Sequence, residues 1–125
     1  MKDMLEEIRA ALKADDYLKS ISIKSFERPD SLKDNKSSIV IIPIGPPQQV
    51  VRASNQSLAK HFTYQINVET AKRMEAKNIQ RRIELVLQKL GFYQSNGGLE
   101  NYFKETKRYV DARTYEGNSR LYEYY

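Results

Sequence analysis

Two segments of the chain carry apolar residues at the three- and four-residue spacing that is typical of an amphipathic helix. The first lies near the N-terminus, where Asp3 is suited to cap the helix and Asp15 and Asp16 favour its end. The second is expected between Thr70, the predicted N-cap, and Gly91, the residue that follows the last turn. The apolar positions are Met4, Leu5, Ile8, Ala11 and Leu12 in the first helix and Ile79, Ile83, Val86, Leu87 and Leu90 in the second.

Four other segments have the pattern of β-strands. From Phe62 to Val68 apolar and polar residues alternate strictly, which predicts a strand with one buried face. The β-branched run Ile39–Ile42 favours a strand that is covered on both faces, and Pro43 marks its end or an edge position. Shorter alternations at residues 20–24 and 107–115 predict the other two strands.

A long polar stretch separates two of these strands. It begins at Gly45-Pro46-Pro47, continues to Lys60, and is longer than most connections inside a compact domain. Such a stretch is either a functional loop or a β-hairpin arm, with residues 49–53 as one leg and residues 57–62 as the other. Residues 28–37 have the composition of a loop, and Gly97-Gly98 that of a turn.

The order of elements is therefore α-β-β-β-α-β. Successive strands with little between them favour antiparallel pairing, so we expect an α+β fold. Its sheet should be mostly antiparallel or mixed, with about four strands and two helices on one face. The length of 125 residues favours one domain over residues 1–125, with a mobile arm at about residues 45–60 and a tyrosine-rich tail at about 117–125.

Composition narrows the function classes. The net charge of +5 raises the chance of an anionic partner only modestly, because acidic residues are interspersed with the basic ones. The absence of cysteine excludes disulfides, thiolate metal sites and a cysteine nucleophile. Because the longest apolar run has only the length of a strand, we expect no membrane span and folding in the cytoplasm.

The search for catalytic chemistry is negative. His61 is the single histidine and falls on the polar register of a strand, which favours a structural role over a catalytic triad. The carboxylate pairs Glu6-Glu7 and Asp15-Asp16 belong to an exposed helix and its end, and Gly97-Gly98 lies in no phosphate-binding motif. We therefore expect no enzyme activity, no cofactor and no metal site.

Basic and aromatic residues alternate near the C-terminus, and three interpretations of them stay open. They can contact other proteins, pack the sheet itself, or stack on nucleic-acid bases, in that order of preference. A basic run on the second helix is diluted by glutamates, which favours a solvated helix face. The residues concerned are Tyr102, Phe103, Lys104, Lys107, Arg108, Tyr109, Arg113 and Tyr115 near the C-terminus, and Lys72, Arg73, Lys77, Arg81 and Arg82 on the helix.

The succession of elements resembles a family of phage proteins. An amphipathic first helix leads into short strands and a long polar excursion, and the strand His61–Val68 precedes a helix that ends Leu90-Gly91-Phe92. A basic strand that contains tyrosine, residues 107–113, then closes the domain. This layout is similar to that of the small tail-terminator, tail-completion and head–tail joining proteins of long-tailed bacteriophages and prophages.

The resemblance implies a structural virion protein that is assembled in the host bacterial cytoplasm. It implies a homo-oligomeric ring, commonly a hexamer, which contacts tail-tube and head-connector proteins, without a membrane or a specific nucleic acid. Our own hypothesis for the contact residues adds two groups, on the arm and on the last strand. They are Val50, Val51 and Arg52, and Tyr109, Arg113 and Tyr115. The alternative function is that of a nucleic-acid-binding accessory protein of a phage or mobile element.

Overall fold

The computed structural model describes residues 1–29 and 36–125, so that part of the predicted loop at 28–37 lies outside the described residues. The predicted α+β class and mixed sheet are confirmed, with two helices and six strands in the described part of the chain. The elements are α1 (Met4–Ala14), β1 (Ser22–Ser25), β2 (Ser38–Pro43), β3 (Gln48–Ala53), β4 (Gln56–Thr70), α2 (Arg73–Lys89), β5 (Phe92–Phe103) and β6 (Arg108–Asn118).

The sheet is built around β4, its longest strand. Its strand order is β1-β2-β4-β6-β5, with β3 paired to β4 outside this path. All pairs are antiparallel except β1 with β2. Because β6 lies along residues 61–70 of β4, the opposite edge of β4 is left for β2 and then β3. There β2 pairs with residues 64–69, and β3 pairs with residues 56–61.

Both helices bury their apolar stripes against the same face of the sheet. The alternation in β4 turns Phe62, Tyr64, Ile66 and Val68 toward the helices, and this face forms a single core cluster with them. The helical members of the cluster are Met4, Ile8 and Leu12 of α1 and Ala76, Ile79, Ile83 and Leu87 of α2. No helix in the described part of the chain covers the opposite face, which we call the open face.

The helix ends follow local capping chemistry, with one exception to the prediction. The carboxylate of Asp3 accepts a hydrogen bond from the Leu5 amide at 3.0 Å, which confirms Asp3 as the N-cap of α1. Gly91 has φ of +85°, as expected for the residue after α2. Thr70 is the predicted N-cap of α2 only if the helix starts early; α2 starts at Arg73 with Lys72 as the N-cap, and the Thr70 hydroxyl instead donates to the Lys72 carbonyl at 2.7 Å.

The strand β5 is the largest difference from the sequence pattern. The predicted turn at Gly97-Gly98 is wrong, because these glycines form an irregularity in the pairing of β5 with β6 and not a chain reversal. Gly98 has φ of +153°, and a Cβ atom there would lie 2.4 Å from the Ala112 carbonyl oxygen. Two glycines and mostly exposed polar residues hide the strand alternation from a sequence pattern.

A buried glutamine joins α2 to two strands. The side-chain amide of Gln80 donates to the carbonyls of Ile66 and Asp111, each at 2.9 Å, and its oxygen accepts from the Tyr115 hydroxyl at 2.9 Å. Gln80 is completely buried, so these bonds satisfy a side chain that water cannot reach. The three bonds fix the position of α2 across β4 and β6.

We predict that Gln80→Leu, which keeps much of the volume, lowers the free energy of unfolding by about 3 kcal/mol, because it removes three buried hydrogen bonds. Tyr115→Phe removes one of them and should cost about 1 kcal/mol. Urea denaturation followed by circular dichroism measures both. The matched control is Gln94→Leu on the exposed part of β5, which should change stability by less than about 0.5 kcal/mol. Equal effects of Gln80→Leu and Gln94→Leu would contradict the role given to Gln80.

Candidate protein-interaction surfaces

The polar stretch contains a β-hairpin that extends the sheet beyond its main body. We call residues 48–60 the arm; it consists of β3 and the first part of β4. Ser54 and Asn55 form its turn, with φ of 50° and 63°. Positive φ at both central residues is the geometry that matches the twist of a two-residue hairpin. The hairpin interpretation of the polar stretch is therefore confirmed, with legs close to those predicted.

The C-terminal tail lies along the other edge of the arm. The Ser119 amide donates to the Lys60 carbonyl at 2.8 Å, and the Tyr122 amide donates to the Leu58 carbonyl at 2.9 Å. Tyr125 then packs edge-on against Phe62, with a centroid distance of 5.4 Å. The tail had no evident partner in the sequence, but it pairs with β4 and joins the core cluster.

Three residues of the predicted contact set lie together on the arm. Val50 is partly buried, whereas Val51 and Arg52 are exposed. Val51 has φ of +52°, a left-handed conformation that is unfavourable for a β-branched side chain, and half of its surface is accessible to solvent. The arm thus presents an apolar side chain and a cation on a projecting segment.

The other three residues of that set lie on β6 and face the helices. The register pairs Tyr115 with Tyr64, so Tyr115 lies on the core side, where only 1% of it is exposed. Burial raises the pKa of Tyr115 to about 12. Tyr115 therefore has no surface to offer a partner of the folded subunit. Arg113 binds the Asp111 carboxylate at 2.9 Å, and Tyr109 stacks at an angle on Tyr102 at 4.7 Å.

An apolar cleft of about 730 Å³ opens between the N-terminus of α1 and the root of the arm. Phe26, 62% exposed, forms part of its wall, and the Asp3 carboxyl group belongs to its charged rim. The sequence pattern did not predict this cleft, because its walls come from five separate parts of the chain. Its apolar lining includes Phe26, Pro43, Pro46, Pro47, Tyr64 and Tyr125.

The open face of the sheet carries small polar and aliphatic side chains in rows. The strand register places Val40, Asn67, Ala112 and Leu99 in one such row across four strands. The next row contains Ile42, Gln65, Thr114 and Ser95. Val40 and Ala112 are buried within the face, while Leu99 at its edge is about half exposed. A surface of this composition is suited to protein contact.

The tail adds aromatic surface that the sequence hypothesis did not select. Leu121, Tyr122 and Tyr124 are exposed, and Tyr122 retains 81% of its accessible surface. The signal that could have identified them is the density of tyrosine at this end of a chain with nine tyrosines. Tyrosine is enriched at protein interfaces because it combines a large apolar ring with a polar tip.

A buried ion cluster anchors the end of β4 away from the arm. Arg28 binds the Glu69 carboxylate through two nitrogens, at 2.7 and 2.9 Å, and Arg108 lies 3.3 Å from the same carboxylate. The Arg108 guanidinium also donates to the Glu69 and Lys36 carbonyls. Donation of a hydrogen bond to Glu69 raises the pKa of Arg28. These cations hold chain segments together; Arg108 is buried, whereas the Arg28 side chain remains 48% exposed.

The basic run on α2 is largely neutralised by carboxylates. Arg73 and Lys77 both approach Glu100 on β5, at 3.4 and 3.0 Å. Arg81 pairs with Glu84 at 3.0 Å, and Arg82 pairs with Asp15 at 2.8 Å. A nucleic-acid site needs cations that are available for phosphates, so this pairing disfavours such a site on α2.

His61 lies in a surface hydrogen-bond group at the base of the arm. Its Nε2 atom is 3.3 Å from Glu116, and the same carboxylate accepts a hydrogen bond from the Tyr93 hydroxyl at 3.0 Å. No group of three His, Asp or Glu side chains in the described residues could hold a metal ion. Neither helix in the described ranges is long and apolar enough to cross a membrane.

Comparison with known proteins gives a match in structure. No protein-family model matches the chain, and no curated protein matches it in sequence. A chain from the virion of a native gene transfer agent (GTA) particle superposes with a TM-score of 0.55 at 15% sequence identity. The two chains share one fold. The superposition covers 89% of this chain and 90% of that chain.

We predict that acid weakens the fold through its surface carboxylates. Hydrogen bonding to Lys77 lowers the pKa of Glu100, and hydrogen bonding to Ser95 and Tyr93 lowers that of Glu116. A depressed folded-state pKa contributes stability above the unfolded value of 4.5, and this contribution is lost as the pH falls through the folded-state pKa. Denaturation midpoints should therefore decrease between about pH 5 and pH 3.

Glu100→Gln should flatten this decrease, because the substituted side chain no longer titrates. Glu105→Gln, in the exposed β5–β6 connection, is the matched control and should preserve the pH profile of the unmodified chain. Urea midpoints measured at half-unit pH intervals compare the three proteins. An identical slope for Glu100→Gln and the unmodified chain would contradict the role of the Lys77–Glu100 pair.

Proposed function

We propose that this chain is a structural virion protein that ends the tail tube, joins the tail to the head, or does both, as the subunit of a ring. The observation that supports this most is the fold shared with a virion chain over nearly the whole length of both. The sequence layout supports it independently through its resemblance to tail-terminator and head–tail joining proteins. In this proposal the chain acts through contacts with other virion proteins, without a catalytic step.

The shape of the subunit suits closure into a ring. A cyclic homo-oligomer uses two different patches on each subunit, which meet head to tail. The arm is a projecting patch with exposed Val51 and Arg52, and the cleft is a recessed patch beside exposed Phe26. We propose a hexamer, assembled in the host bacterial cytoplasm and retained in the virion.

The proposed partners beyond the ring are the tail-tube and head-connector proteins. A ring has two rims, and exposed side chains from the tail and from the far end of β5 are available for them. Tyr122 and Tyr124 lie on the tail, and Phe103 lies at the β5 end beside the connection to β6. Aromatic side chains with large accessible surface are the type that anchors protein contacts.

The described side chains support a non-catalytic role. The strongest candidate for acid–base chemistry, His61, pairs with Glu116 on the sheet surface and not in a desolvated cleft. The alternative function, nucleic-acid binding, is disfavoured by the carboxylate pairing along α2. The proposal accordingly includes neither a cofactor nor specific nucleic-acid recognition.

Removal of the gene from a particle-producing host tests the proposal. We expect electron micrographs to show tails of irregular length and heads without tails, because an uncapped tube continues to grow and cannot join a head. Expression of the unmodified chain should restore normal particles. Normal particles in the absence of the chain would contradict the proposal, as would DNA binding by the chain that weakens steeply with salt.

A shortened arm separates folding from assembly. We predict that replacing residues 51–58 by Asn-Gly leaves Val50 and Ala59 paired across a two-residue turn, so the body of the domain still folds. The shortened protein should fail to restore particles because it lacks the projecting contact. Arg81→Gln on exposed α2 is the control and should restore them. Circular dichroism checks that both variants are folded, and full restoration by the shortened protein would exclude an essential arm.

A further inference from the structure

We infer that the arm of one subunit docks into the apolar cleft of the next copy of the same chain. This inference rests on the proposed function, because the docking takes place between neighbours in a ring. It goes beyond that function by naming the two surfaces that meet. The contact is heterologous, since one patch projects and the other is recessed, which is the requirement for a closed cyclic assembly.

The lining of the cleft is largely apolar, so a contact that covers it is stabilised by the removal of this surface from water. Its walls are mainly proline and aromatic side chains, and Phe26 in the wall is 62% exposed. Burial of such surface stabilises a contact by about 25 cal/mol for each Å² that is removed from water. The volume of the cleft is about 730 Å³.

The rim of the cleft is acidic on the side of α1. The Asp3 carboxylate lies in the lining, whereas the neighbouring cation, Lys2, is paired with Glu123 at 2.9 Å. The negative charges act inside the cleft, where Tyr64 lies. Burial raises the pKa of Tyr64, and the charges of Asp3 and Glu7 raise it further. A ligand with apolar side chains and one cation fits this combination best.

The arm provides that combination. Residues 48–57 contain one charged residue, Arg52, and it follows directly after Val50 and Val51. Val51 and Arg52 are exposed, and Val51 holds a left-handed backbone conformation that a partner surface would have to accommodate. The pairing is therefore complementary in charge, with one cation opposite one carboxylate, and in apolar character.

An arm cannot fill the cleft of its own subunit. Pro47 lines the cleft, and β3 starts at the next residue, Gln48, so the cleft lies at the root of the arm. A paired strand of this length projects by about 20 Å from its root and is too stiff to fold back. The tail, paired to the other edge of the arm, holds it in the extended position. An arm that occupies the cleft must then come from another copy.

A small apolar ligand is the rival occupant, because ligand sites are commonly 300–1,000 Å³ in volume. Such sites hold their ligand with several convergent polar groups. Among the described residues, the charged side chains in the lining of this cleft are Lys2, which is paired with Glu123, and Asp3, so several convergent polar groups are lacking there. A second copy is favoured because its arm brings backbone groups and a cation of its own.

Cysteine cross-linking tests the contact directly, because the chain has no cysteine of its own. One preparation carries Val51→Cys and a second carries Phe26→Cys; the two are purified, mixed, concentrated and oxidised. We expect a mixed disulfide dimer on a non-reducing gel, since a disulfide forms only when the two Cα atoms come within about 7 Å. Tyr17→Cys, exposed on the other side of α1, replaces Phe26→Cys in the control mixture and should yield little mixed dimer.

Charge variants provide an independent measurement on native assembly. Asp3→Asn removes the carboxylate but retains an N-cap residue, so helix α1 should be preserved. Asp3→Asn and Arg52→Gln should each weaken association about tenfold in analytical ultracentrifugation. The double variant should be no weaker than either single variant if the two groups contact each other. Arg52→Lys retains the charge and should weaken association less.

Three results would overturn the inference. In the first, native mass spectrometry shows a ring, but the mixture of Val51→Cys and Phe26→Cys yields no more mixed disulfide dimer than the Tyr17→Cys control mixture. Another is an apolar fluorescent dye that binds the cleft equally in the ring and in the monomer, because a docked arm would exclude it. The last is a chain that stays monomeric at all concentrations while particles still form normally. None of these results affects the gene-removal test, which decides the proposed function separately.

Discussion

The fold depends on β4, a strand that continues from the main sheet into the arm. Ten residues of β4 pair with β6, and along this part the alternating side chains supply the face on which both helices pack. The five residues before them continue as the second leg of the arm. One hydrogen-bonded strand therefore joins the core to the projecting hairpin.

Many polar and charged side chains of the described residues are paired with one another inside the domain. The Tyr115 hydroxyl donates a hydrogen bond to Gln80 in the interior, and Glu69 binds two arginines at the end of β4. Along α2 the cations are paired with carboxylates. The remaining accessible surface combines aromatic, aliphatic and polar side chains with dispersed charges, among them Arg52 on the arm. Such groups can form contacts between proteins, and this is why the proposal relies on surfaces and not on a reactive centre.

The sequence was sufficient for the elements whose apolar residues repeat without interruption. Both helices and the central strand β4 follow from local periodicity, because one face of each is buried in the core. It was insufficient for β5, where the glycine irregularity and exposed residues remove the alternation. Tyr115 is buried because the strand register pairs it with Tyr64, a core residue of β4. Composition alone does not distinguish a tyrosine at a core position from one at the surface. The cleft depends on contacts between distant segments, which no local pattern encodes.

The pairing of the tail with the arm imposes an order on biosynthesis. Residues 119 and 122, which bond to the arm's second leg, leave the ribosome about 60 residues after that leg has been made. A nascent chain thus holds an unsupported hairpin until translation has passed residue 122. Subunits still under synthesis consequently lack the two backbone hydrogen bonds by which the tail braces the arm.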